Sequence, residues 1–322
     1  MSREKKHCSI SLIISANNRN SGKRKKVNLR LERIEGTVTT AISYARVMEE
    51  TAREQIWRMC SYELTEGSRV RIMPDVHAGK GCTIGTTMTI VDKAVPNVVG
   101  VDIGCGMYTI DLGRQPIDFF RLDKAAHRVP SGANVWNEPQ LSFDVHPLYC
   151  YDRLKNLSRI ACSIGTLGGG NHFIEVDETH DGRHYLIIHT GSRNLGKQVA
   201  DIYQQIAIEL QGQEETQPEQ INRIIREYQM AGRQEEIEKS VKEIKRRYHQ
   251  KQIPDDLCYV SGKYLKQYLH DVVLCQQFAR LNREHIARVL LEQTGLKAGE
   301  AFHTIHNYID VEEMILRKGA IA

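Results

Sequence analysis

Cys82-Thr-Ile-Gly-Thr-Thr-Met-Thr-Ile-Val91, Val98-Val99 and Met107-Tyr-Thr-Ile-Asp-Leu112 are short runs of β-branched and apolar residues set among glycines. Such runs, bounded by turn residues, predict short strands joined by tight turns. A second region of the same texture spans 161–197 and contains Phe173-Ile-Glu-Val176 and Tyr185-Leu-Ile-Ile188. Helical patterns flank both. Apolar residues at Met48, Ala52, Ile56 and Met59 fall on one stripe of a helix over 46–60. Leu265, Leu269, Val272, Val273, Phe278, Leu281, Ile286 and Val289 predict a longer, more buried helix over 263–293. Between 198 and 250 the chain is helical in pattern and strongly charged. Ile221, Ile224, Ile225 and Tyr228 form one stripe there, and Ile237, Val241, Ile244 and Tyr248 another, with Gly232 between them, which predicts a helical hairpin. Strand clusters separated by helices predict a mixed α/β or α+β fold, one large domain with a helical-hairpin insertion at about 200–252.

Composition narrows the class. The 322 residues are 41% hydrophobic and 26% charged, which suits a globular chain and excludes a disordered or fibrous one. No uncharged apolar run approaches the roughly 20 residues of a membrane span, and the stretch Ile10–Ile14 is too short for a secretion signal. A cytoplasmic location is therefore expected. The eight cysteines form no Cys-x-x-Cys pair, so a reducing compartment and free thiols are expected rather than disulfides. The net charge of +4 is uneven. Residues 1–35 hold ten Lys/Arg against three Glu, or +7, and the remainder 34 basic against 37 acidic residues, or −3. Residues 1–35 thus read as a basic extension, either a solvated leader or an arm for an anionic partner such as nucleic acid.

Five segments concentrate groups that chemistry can use: Met73-Pro-Asp-Val-His-Ala-Gly-Lys-Gly-Cys82, Gly100-Val-Asp-Ile-Gly-Cys-Gly106, Gly168-Gly-Gly-Asn-His-Phe-Ile-Glu175, His189-Thr-Gly-Ser-Arg-Asn-Leu-Gly196 and His303-Thr-Ile-His-Asn-Tyr308. Asp102 and Cys105 are separated by Ile103 and Gly104, so one turn can aim both at a point. A carboxylate and a thiolate held together favour a divalent cation; a buried thiol beside a turn-forming Asp is the plainer alternative. His189 ends an apolar strand, and His172 follows a triple glycine and opens another. Each is a good position for a ligand and equally for an ordinary polar residue. Taken together, Asp, Cys and His at glycine turns and strand ends suit a transition metal. A thiolate can bridge two ions, and five ligands exceed what one tetrahedral site needs.

These segments, in this order, resemble the RtcB family of RNA ligases. The likeness runs from about residue 36 to the end and includes Arg317-Lys-Gly-Ala320. The resemblance implies a catalytic domain over 36–322. It implies joining of RNA 3′-phosphate or 2′,3′-cyclic phosphate ends to 5′-hydroxyl ends, with GTP and two Mn2+ ions. Carried over by motif, Asp102, Cys105, His172, His189 and His306 are the metal ligands, with Cys105 bridging. Asn171, His172, Phe173, Ile174, Glu175, His306 and Asn307 line the guanylate site, and Asp75 and His77 are supporting residues rather than ligands. The family's guanylylated histidine belongs to a Ser-His-Gly-Ala-Gly-Arg type motif near its C-terminus. None of the thirteen histidines here has that setting, so no catalytic nucleophile is assigned, and a missing C-terminal fragment is a candidate partner. The alternatives are a metal-dependent cyclic phosphodiesterase and an RNA-binding remnant without ligase activity.

Overall fold

The computed structural model describes residues 31–212, 217–231, 233–243 and 253–321. Its fold is α+β, built on two sheets and one long helix. The first sheet has six strands in the order β1 (Glu32–Glu35), β2 (Thr40–Ser43), β3 (Val70–His77), β4 (Ile84–Thr89), β12 (Ile315–Lys318) and β11 (Asn307–Asp310). Every pairing in it is antiparallel except β2 with β3, which α1 (Glu50–Met59) connects. The second sheet is wholly antiparallel, in the order β10 (Ala301–Ile305), β6 (Gly106–Gly113), β8 (His184–Thr190) and β7 (Phe173–Glu178). A small pair joins β5 (Lys93–Ala94) to β9 (Val260–Ser261).

The predicted strands at 82–91, 107–112, 173–176 and 185–188 and the helix at 46–60 are present with trimmed or extended ends. In α1 the stripe works as expected, with Ala52, Ile56 and Met59 buried. Val98-Val99 is not a strand. Pro96 opens a one-turn helix, α2 (Pro96–Val99), and Gly100 at φ 98° ends it. The fixed proline φ suits a first helical turn, and complete burial makes two valines as acceptable there as in a sheet. The remaining helices are α3 (Phe119–Ala126), α4 (Leu157–Ala161), α5 (Arg193–Gly212), α6 (Gln217–Met230), α7 (237–243) and α8 (Gly262–Thr294). In the charged helical segment, Ile221, Ile224, Ile225, Tyr228, Ile237 and Val241 are the half-buried face. Gly232, Ile244 and Tyr248 lie outside the described residues, as do residues 1–30 of the basic extension. The helical segment also starts before the expected residue 198: α5 begins at Arg193, and its Leu195, Val199, Ala200, Tyr203 and Ala207 are core residues.

The 33-residue α8 is the spine. Its first half, through Leu265, Tyr268, Val272, Cys275 and Phe278, joins a core shared by the six-stranded sheet, α1, α2 and α5. Its second half, through Ile286, Ala287 and Leu290, closes a separate core over one face of the four-stranded sheet with α3. Among the described residues no helix is long and apolar enough to cross a membrane.

Candidate metal centre

The seam between the two sheets is where the five motif segments meet. The chain leaves the four-stranded sheet at Ile305 and enters the six-stranded sheet at Asn307, so His306 is the crossover residue. Backbone bonds fix it: His306 N–H donates to Cys105 O (3.0 Å), Ala320 N–H to His306 O (3.2 Å) and Gly104 N–H to Asn307 O (2.6 Å). The 102–105 turn closes through Cys105 N–H to Asp102 O (3.1 Å). Gly104 sits at φ 75°, and a Cβ there would come within 2.9 Å of Gln276 Cα on α8, so only glycine lets this turn lie against the helix.

The sequence-predicted ligands converge. Cys105 Sγ lies 3.5 Å from His172 Nε2 and 3.3 Å from His189 Nε2. His172 Nε2 is 2.8 Å from Asp102 Oδ2, and His189 Nε2 is 3.2 Å from His306 Nε2. The donors form two groups, Asp102–Cys105–His172 and Cys105–His189–His306, with the atoms of each within 4.8 Å of one another. Cys105 belongs to both. The partner of His189 Nδ1 is the carbonyl of Asn171 (2.9 Å), which puts the ring proton there and leaves the Nε2 lone pair facing the cluster.

The electrostatics of the cluster follow from burial and mutual charge. Burial first, and then the Asp102 charge, push the Cys105 thiol far up. Burial, then His306 and His172, push His189 down to about 4. Burial also lowers His306, partly offset by Asp102. Asp102 is opposed by burial, yet the hydrogen bond and charge of His172, with Cys105 and Arg193, hold its carboxyl below the ordinary range. A thiol, a carboxylate and imidazoles with lone pairs on one point fit a divalent ion, which alone relieves their crowding and displaces the thiol proton.

Other predicted residues divide. Phe173 lies tilted beside His189, ring centroids 5.0 Å apart, and Glu175 follows on the same strand face with its carboxyl raised by burial and by Asp177. Ile174 does not share that face. It is 4% exposed and packs in the core, because strand side chains alternate, so its side chain is unavailable to a bound nucleotide. Asn307 Oδ1 is already engaged by Gly319 N–H (2.9 Å). Asp75 and His77 are exposed on β3, with His77 Nδ1 bonded to Asp75 O (2.8 Å) and the Asp75 charge felt at His306; neither joins a ligand group. Sequence reasoning missed Asn282 and Arg283, both buried on α8 beneath the centre. Their signal was a polar pair at positions 282 and 283 where the buried stripe of Cys275, Ala279, Ile286 and Leu290 continues.

A model of the family described as "tRNA-splicing ligase RtcB" matches residues 60–143 and 151–322. The chain is 26% identical over 296 residues to the RNA-splicing ligase RtcB of Escherichia coli strain K12, covering 79% of this chain and 64% of that protein. It is 32% identical over 185 residues to the RNA-splicing ligase RtcB of Mycobacterium tuberculosis, covering 39% and 43%. It is 29% identical over 189 residues to the tRNA-splicing ligase RtcB of Aeropyrum pernix, covering 41% and 39%. The chain thus spans less than two thirds of the length of each of these curated relatives.

Proposed function

The chain belongs to the RtcB family, and on that footing we propose that it carries the two-metal centre of an RNA ligase. The reaction joins RNA 3′-phosphate or 2′,3′-cyclic phosphate ends to 5′-hydroxyl ends with GTP and Mn2+. The observation that supports this best is the pair of donor groups sharing the Cys105 sulfur. In this reading Asp102, Cys105 and His172 hold one ion, and Cys105, His189 and His306 the other. Bound ions supply charge neutralisation and alignment for phosphoryl-type transfer. The protein's own contribution is orientation: the Asn171 carbonyl fixes the His189 tautomer, and the 102–105 turn keeps carboxylate and thiol together. Phe173 and Glu175, with Asn171, His172, His306 and Asn307, form the guanylate side of the centre. Asp75 acts on His306 through charge. The catalytic unit is read as 36–322 together with β1 (Glu32–Glu35), which pairs with β2 in the six-stranded sheet; the basic residues before β1 are read as an extension toward RNA and the charged helices as a peripheral insertion. The free cysteines among the described residues suit a cytoplasmic setting.

The test uses labelled RNA ending in a 2′,3′-cyclic phosphate and a second strand beginning with a 5′-hydroxyl, incubated with Mn2+, with and without GTP. GTP-dependent joining is the expected result. Opening of the cyclic phosphate without joining assigns the centre to metal-dependent phosphodiester hydrolysis instead. Unchanged ends under every condition overturn both. Labelled GTP, followed through denaturing gels, reads separately whether any residue of this chain accepts guanylate.

The two donor groups can be told apart. A Cβ at Gly191 would lie 2.1 Å from Asp102 Oδ1, and the backbone there is free of positive-φ strain. Gly191→Ala is therefore expected to displace Asp102 while sparing the His189–Cys105–His306 group. Metal content should fall from about two ions per chain to about one, as measured by elemental analysis after desalting. Undiminished stoichiometry would remove Asp102 from the ligand set.

A further inference from the structure

Arg283 is 1% exposed, and burial lowers its guanidinium only to about 10, so it stays charged at neutral pH. Buried charges persist when paired or fully hydrogen-bonded. Among the described residues no carboxylate forms an ion pair with Arg283. Its NH1 donates to Gly104 O (2.8 Å) and to Thr190 O (2.7 Å). Those carbonyls belong to the residues next to Cys105 and His189, one in the 102–105 turn and one at the end of β8. Its Nε donates to His303 Nδ1 (3.3 Å). That role places the His303 proton on Nε2, which donates to Glu284 Oε1 (3.1 Å). Tyr108 stacks on His303 with ring centroids 4.2 Å apart and planes within 12°, and Arg280 Nε donates to the same Glu284 oxygen (2.8 Å). The neutral state this requires of His303 agrees with its setting: burial first, then the Arg283 charge, lowers it to about 4.

We propose that Arg283 is a positioning residue of the metal centre, a buried guanidinium that ties the 102–105 turn to the end of β8 and is itself aimed by the His303–Glu284 pair. The inference rests on the metal-centre reading above. One Nη1 reaches both carbonyls while Nε is held by His303, so a single rigid guanidinium spans the two ligand-bearing segments. Glu284 orients His303, His303 fixes the plane of the guanidinium, and the guanidinium sets the spacing between the turn that carries Cys105 and the strand end that carries His189. Such outer partners commonly change metal affinity by about 10–100-fold.

The experiment is a Co2+ titration of the full chain, read by the thiolate-to-cobalt charge-transfer band, with thermal melts of the metal-free proteins alongside. His303→Phe keeps the stack on Tyr108 and removes the acceptor for Arg283. It is expected to weaken Co2+ binding about tenfold and to shift the band, with melting close to wild type. Arg283→Met is expected to lose about 100-fold, and Arg283→Lys to recover part of that. Should Arg283→Met fail to fold, His303→Phe and Arg283→Lys decide the matter. A wild-type band that these two variants leave unmoved in position and affinity overturns the inference alone. Absence of the band from the wild type overturns the metal-centre reading, and the inference with it.

Discussion

Cys105→Ala is expected to empty both halves of the centre at once. Each of the other proposed ligands belongs to one donor group, whereas this sulfur belongs to both. Its removal leaves Asp102 and His172 facing one position and His189 and His306 the other, two ligands each. Two ligands hold a divalent ion poorly when at least three protein ligands are the norm for a tight catalytic site. Metal content should therefore drop from about two ions per chain to near zero, and affinity by more than the about 100-fold that loss of an outer partner brings. Stability of the metal-free chain should hardly change, because the residue is small and Ala approximates its apolar volume. Elemental analysis and a metal-free melt make the comparison. Equal metal content in wild type and Cys105→Ala would refute the ligand assignment altogether.

Asn282→Ala is expected to be the most damaging single change to the fold near the centre. The side chain is fully buried. Its Oδ1 accepts from Gly165 N–H (2.7 Å) and Thr166 N–H (3.0 Å), and its Nδ2 donates to Thr166 O (3.1 Å) and Gly191 O (3.1 Å). Four backbone groups in two loops thus depend on one amide. Each buried polar group left unpaired costs about 1–3 kcal/mol, and local relaxation recovers part of that, so a loss of about 4 kcal/mol is expected. Denaturant unfolding followed by circular dichroism measures it. Asn282→Asp retains the acceptor and should fall between the two. A loss under about 1 kcal/mol would mean that water or a shifted loop replaces the amide.

Much of this was readable in the chain, for physical reasons that differ by residue. The glycine-bounded β-branched runs became strands because their pattern and their burial agree, and α8 was visible because its apolar stripe is long. The convergence of Asp102, Cys105, His172, His189 and His306 was legible because ligand-type side chains beside glycine turns have few structural uses. Val98-Val99 misled because β propensity reflects packing, and a proline can set the backbone of a buried pair first. Ile174 misled because a motif is contiguous in sequence, whereas strand geometry sends alternate residues to opposite faces. Asn282 and Arg283 were hidden because their partners are carbonyls and amides of loops about 90–180 residues away in the chain, and backbone groups leave no trace in composition.

The crossover at His306 has a mechanical consequence. The backbone that carries this imidazole is stitched through its N–H to Cys105, at the foot of β6, and through its carbonyl to Ala320, just past β12 of the six-stranded sheet. Any slip of one sheet along the other would drag this ring away from His189 and pull the shared cluster apart. An ion seated there would act as a rivet through the seam, so that shearing the two halves and unloading the metal become the same event.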